Sequence, residues 1–188
     1  RDPMKIVSIS TQSIRNKNGN ELYCICCALK EGFHVEDVKG SNKVDDFQPL
    51  IFARKIDNKM SIFKNEKNEQ IINLDNIPDL NSIPKLRQLL NIGNLYLASD
   101  EKSLLITFIT KINSIDPDII VGHNLNSKHL DLILSRISFY KSPNWTKLSH
   151  FKRSVIPNHL RGANNSEYCR NCFAGRLLCD TFDNTKIS

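Results

Sequence analysis

The stretch Ser114-Ile115-Asp116-Pro117-Asp118-Ile119-Ile120-Val121-Gly122-His123-Asn124 decides the fold. A residue ahead of proline is pushed out of the right-handed helical region, so a helix reaching Asp116-Pro117 has to stop there. Ile119-Ile120-Val121 is short and fully apolar, which predicts a strand buried on both faces. Gly122-His123-Asn124 then turns the chain. Upstream, Leu104, Leu105, Phe108, Ile109 and Ile112 recur at helical spacing. Ser99-Asp100-Glu101 stands ahead of them and can cap that helix, placing negative charge at its positive end. Downstream, Asn126 or Ser127 starts a second helix with Leu130, Ile133, Leu134 and Ile137 on one face.

Towards the start, residues 5–9 carry Ile6, Val7 and Ile9 and read as a first strand. Asn18-Gly19 supplies the pair that tolerates positive φ in a tight turn. Residues 22–29 follow as a second strand and residues 50–53 as a third. A hairpin followed by helix, buried strand and helix predicts an α/β domain with a mixed sheet flanked by helices. The whole chain, 1–188, reads as one domain: a β-rich start at 4–55, a polar insertion at 56–98, and a helix-strand-helix region with a basic loop at 99–188. The insertion contains two Ile-Pro breaks and a short helix near 85–90. Arg1-Asp2-Pro3-Met4 lacks the pattern of a signal peptide, and both ends read as those of a piece of something longer.

The chain has 188 residues, 40% of them hydrophobic, enough for the core of one domain. No apolar run approaches about 18 residues, so no membrane-spanning helix is expected. The net charge is +6, and its placement is more informative than its size. No Asp or Glu falls between Asp131 and Glu167, whereas Arg136, Lys141, Lys147, Lys152, Arg153 and Arg161 all do. Without these six, 20 basic residues face 20 acidic ones. Such a segment either attracts phosphate backbones or is a solvated loop, and composition does not choose between them. Among the six cysteines, Cys24, Cys26 and Cys27 share one strand, Cys169 and Cys172 form a lone CxxC, and Cys179 stands apart. A structural zinc site needs two ligand pairs in a compact module, so buried thiols in a reducing compartment are the favoured reading.

Four blocks in order resemble the family B DNA polymerases. Residues 114–124 are similar to the second exonuclease motif of that family. The others are Lys5-Ile6-Val7-Ser8-Ile9-Ser10, the run Asn144-Trp145-Thr146-Lys147-Leu148-Ser149-His150-Phe151-Lys152-Arg153-Ser154-Val155-Ile156-Pro157, and Gly175-Arg176-Leu177-Leu178-Cys179-Asp180. The resemblance covers 4–30 and 99–188, and it implies an RNase H-like, exonuclease-like domain. The motifs resemble those of a replicative branch of the family, which implies a parent that extends RNA primers and does not proofread.

Proofreading domains of this family hold two divalent metals with four carboxylates, because hard cations require anionic oxygen ligands. By the resemblance, the Asp-x-Glu of the first motif falls on Ser10 and Gln12, with Thr11 between them. The Asp of the second motif falls on His129, preceded by Lys128 where an aromatic is usual. Asp131 lies two residues further on, which turns it by about 200° around an α-helix and away from that position, as a solvated carboxylate. The third motif would lie beyond Ser188. His123 and His129, six apart without carboxylate support, make a weak metal pair. Cys179-Asp180-Thr181-Phe182-Asp183 is not the Asp-Thr-Asp pattern of a polymerase palm.

The resemblance therefore implies a fragment with no catalytic residues and no cofactor of its own, inactive as polymerase and as exonuclease. The parent would be a DNA-directed DNA polymerase using Mg²⁺ in its palm, in the nucleus, extending RNA primers with deoxynucleotides to initiate replication. Its partners would be the palm and N-terminal domain of the same chain, the DNA template, the RNA–DNA primer, primase and an accessory B subunit, with no membrane. Lys147, Lys152, Arg153 and Arg161 are the candidate contacts to nucleic acid. Trp145, together with Phe151, is placed to stack on unpaired bases or to pack a long loop. The competing reading is an active, metal-dependent 3′–5′ exonuclease domain whose acids come from other positions.

Overall fold

A computed structural model of the chain describes residues 3–16, 19–34, 47–54, 94–151 and 165–184. Six strands form one mixed sheet: β1 (Met4–Asn16), β2 (Gly19–Phe33), β3 (Gln48–Arg54), β4 (Leu95–Ala98), β5 (Ile119–Gly122) and β6 (Leu177–Asp180), in the order β4-β3-β2-β1-β5-β6. β1 with β2 and β2 with β3 are antiparallel, whereas β3–β4, β1–β5 and β5–β6 are parallel. The helices are α1 (Glu101–Ile115), α2 (Asp131–Phe139), α3 (Asn165–Cys172) and the short α4 (Thr181–Asn184). A π-helical turn (Leu125–Leu130) precedes α2, and a 3-10 helix (Pro143–Leu148) follows it. This is the α/β mixed sheet flanked by helices that the sequence predicts.

The alternation of strand side chains sets the layers. Val7, Ile9 and Thr11 of β1 are buried, while Ser10 and Gln12 are exposed. On β2 and β3, Ile25, Cys27, Leu29, Leu50 and Phe52 share the buried face. Against them pack Leu104, Leu105, Phe108, Ile109 and Ile112 of α1 and Ile133, Leu134 and Ile137 of α2, the residues whose spacing predicted those helices. Asp100 is the N-cap of α1, its carboxylate accepting from the Ser103 N–H at 2.8 Å. The helix ends at Asp116 with φ 52°, its backbone N–H returning to the Ile112 carbonyl.

Several expectations need correction. Only Ile120 of β5 is fully buried; Ile119 and Val121 are half-buried, so the strand is fully covered on one face. The sequence predicts a polar insertion reaching residue 98, but Leu95–Ala98 is a strand paired with β3. Four residues of mixed exposure behind a long polar stretch leave little periodicity to detect. The short helix at 85–90 and the tip of the first turn lie outside the described residues.

Candidate functional site

The parallel strands β5 and β6 end together beside the middle of β1, next to Ile9, and the C-terminal edge of parallel strands is the usual place for a site in such a sheet. Gly122 makes that junction possible: a Cβ there would lie 3.0 Å from the Ile9 carbonyl oxygen and 3.0 Å from the Leu125 side chain. Asn124 follows with φ 55°, and the chain enters the π-helical turn. Asp180, at the end of β6, accepts the Asn126 N–H and the Phe182 N–H, each at 3.0 Å. Burial opposes ionisation of Asp180, but backbone donors from Asn126, Phe182, Leu125 and Asn124 outweigh it and hold its pKa below the ordinary value. The sequence reading missed this cap, although Asp180 closes the Gly175–Asp180 block.

His129 projects from the turn onto β1 and is 6% exposed. Its Nδ1 accepts the Thr11 backbone N–H at 3.1 Å, with the Thr11 hydroxyl 2.8 Å away. A backbone N–H can only donate, so Nδ1 carries no proton and the ring is neutral with its proton on Nε2. The ring also bonds the backbone of His123. Burial, with the nearby Lys128 charge, pushes the His129 pKa below its ordinary 6.5. The side chain thus serves polar backbone that the end of β5 leaves unpaired.

Ser10 and Gln12 lie on the opposite face of β1 from Thr11 and are exposed. The three positions assigned by resemblance to carboxylates are therefore neutral, and His129 is bonded to the residue between the other two. Asp131 is half-buried rather than solvated. It faces α3, where burial first and then the Asp131 charge push the Cys169 thiol up to about 12. The π-helical turn accounts for the difference, since it breaks the α-helical phase that counting along the sequence assumes. His123 is exposed and sits edge-on to Phe182, with ring centroids 5.3 Å apart.

The basic segment divides. Arg136 is no surface cation: its guanidinium is buried and paired with Glu101. Lys147 is exposed on the 3-10 helix, which also contains Trp145, whose side chain lies outside the described atoms. Lys152, Arg153 and Arg161 lie outside the described residues. Arg176 ties this region to the sheet by donating to the Leu148 carbonyl at 2.9 Å and pairing with Asp116 at 2.8 Å. Cys169 and Cys172 are buried on α3.

The sequence profile of DNA polymerase family B, exonuclease domain, matches residues 5–187. The chain belongs to this family. As a family B exonuclease domain it is similar to the DNA polymerase alpha catalytic subunit of Sterkiella nova, 28% identical over 193 residues and 96% of this chain, but 11% of that protein. It is 40% identical over 88 residues to the corresponding Xenopus laevis subunit, covering 47% of this chain and 6% of that one. The fold is also that of a solved family B polymerase from Pyrobaculum calidifontis, with a TM-score of 0.50 and 11% identity over 98% of this chain and 16% of that one. The domain thus spans a small part of its relatives.

A divalent metal of the family's nuclease chemistry does not fit the residues present. Ser10 and Gln12 offer neutral oxygens, and the free lone pair of His129 is already taken by Thr11. Among the described residues, no group of three or more His, Cys, Asp or Glu side chains could hold a metal ion.

The neutrality of His129 has a consequence for stability. A depressed folded pKa means that the stabilisation is complete above the unfolded value of 6.5 and is lost as pH falls through it towards the folded value. Urea unfolding should show a lower midpoint at about pH 5 than at about pH 7.5. His129→Gln should reduce that difference.

Proposed function

We propose that this domain is the non-catalytic, exonuclease-like scaffold of a polymerase alpha-type replicative enzyme. The observation that carries the reading is His129: a buried, neutral imidazole bonded to Thr11 occupies the motif position of a metal-binding Asp. Ser10 and Gln12 add two further neutral positions. The similarity to polymerase alpha catalytic subunits across 96% of the chain supports the assignment of the parent.

On this reading the parent chain is a DNA-directed DNA polymerase that extends RNA primers with deoxynucleotides in the nucleus, its Mg²⁺ held in the palm. Residues 1–188 act as one supporting domain against the palm and the N-terminal domain, with primase and the B subunit engaged elsewhere. Lys147, Lys152, Arg153, Arg161 and Trp145 are the proposed contacts to template or primer, since cations neutralise phosphates and a ring can stack on a base.

The purified domain, incubated with a 5′-labelled single strand and Mg²⁺ or Mn²⁺, is expected to leave the strand intact. Stepwise, metal-dependent loss of 3′ nucleotides that persists in Asp180→Asn and Asp131→Asn variants would contradict the assignment at once. Loss abolished by either substitution would make the domain an active exonuclease with relocated ligands.

A further inference from the structure

The three clustered cysteines of β2 have no part in the reading above. Cys24-Ile25-Cys26 alternates across the strand, so Ile25 enters the core while both flanking thiols share the other face. Their Sγ atoms are 3.5 Å apart, in S–H···S contact, and both side chains are half-buried. The strand neighbours on that face are Gln12 and Ser10 of β1 and Ala53 and Ile51 of β3. The core residues of α1 and α2 pack against the other face. A small oxidant can therefore reach the pair without opening the core.

We propose that Cys24 and Cys26 are a peroxide-responsive dithiol that closes reversibly to an intrastrand disulfide. The Cys26 thiolate attacks one oxygen of a hydroperoxide. The O–O bond breaks, hydroxide or alkoxide leaves, and the sulfur, having lost two electrons, becomes a sulfenic acid. The Cys24 sulfur then attacks Cys26, the S–O bond breaks, the Cys24 proton leaves with the hydroxyl as water, and the S–S bond forms. A free thiol in solution reverses the step by exchange.

Three features favour this pair over the other cysteines. The contact with Cys24 pushes the Cys26 pKa below the ordinary thiol value and favours its thiolate, whereas burial raises Cys27 and Cys169. The resolving thiol is already in contact, and closure to a bond of about 2.05 Å requires a movement of about 1.5 Å. A register shift between Gln12 and Ser13, opposite Cys24 and Leu22, places a bulge beside Cys24, where the strand can bend.

The test uses the 188-residue chain and hydrogen peroxide at about pH 7, followed by alkylation and intact-mass measurement. The expected product has lost about 2 Da, leaves four of the six thiols alkylatable, and returns to six with dithiothreitol. The same product should form in Cys27→Ser. In Cys24→Ser it should vanish and be replaced by a dimedone-trapped sulfenic acid on Cys26. In Cys26→Ser neither should appear. Oxidation that maps first to Cys27, Cys169, Cys172 or Cys179, or a cross-link that survives Cys24→Ser or Cys26→Ser, would overturn the proposal. Peptide fragmentation of the unmutated product reads the same bond if a variant fails to fold.

Discussion

Glu101→Ala is expected to lower stability by about 3–5 kcal/mol, the usual cost of leaving a buried charge without its partner. Glu101 and Arg136 have side-chain exposures of 2% and 6%. One Glu101 oxygen accepts the Leu22 backbone N–H at 2.7 Å and Arg136 Nε at 2.8 Å. The other accepts Arg136 Nη2 at 2.6 Å and the Tyr140 hydroxyl at 2.9 Å. Burial works against the Arg136 charge, but its bonds to Glu101 more than offset this and raise its pKa. One carboxylate on α1 therefore joins β2 and α2, and alanine would orphan four donors, one from β2 and three from α2 and its C-cap Tyr140, at once. Urea unfolding followed by circular dichroism measures the effect. Glu101→Gln, which keeps the shape and part of the bonding, should fall between the two. A loss below about 1 kcal/mol for Glu101→Ala would mean that water reaches Arg136.

Phe52→Ala is the second large effect, also about 3–5 kcal/mol. Phe52 is fully buried on β3, stacked on Tyr96 of β4 at 4.8 Å and edge-on to Phe108 of α1 at 5.5 Å. Removing the ring takes away buried area and both aromatic pairs, and the cavity opens between an edge strand and the longest described helix. Amide exchange across β4 should accelerate more than across β5, because Tyr96 loses its stacking partner while Ile120 does not. Equal acceleration in both strands would show that β4 does not depend on this contact.

The parts of the fold that were legible are those where one residue type has one physical use. Asp116-Pro117 ended a helix, Asp100 capped it, and Leu130, Ile133, Leu134 and Ile137 lined one face, all from local rules. What was not legible depends on partners distant in sequence. Glu101 reads as an acid at the positive end of a helix, and nothing nearby announces that Arg136, 35 residues later, will pair with it. For the same reason Arg136 was counted among surface cations. The neutral residues at positions 10, 12 and 129 were visible as types. That His129 would bond Thr11 required the π-helical turn, for which Leu125–Leu130 carries no spacing signal. Asp180 was visible only as the end of a motif block, and its cap on Asn126 is a tertiary contact.

On the proposed reading, the family's metal position holds neutral groups, Ser10, Gln12 and a His129 already bonded to Thr11. Titrating Mn²⁺ into the isotope-labelled domain while following amide NMR intensities tests it most directly, because a bound paramagnetic ion broadens every signal near it. No selective broadening at Ser10, Thr11, Gln12 or His129 at millimolar metal is the predicted result. Saturable broadening centred on those residues, competed away by Mg²⁺, would contradict it.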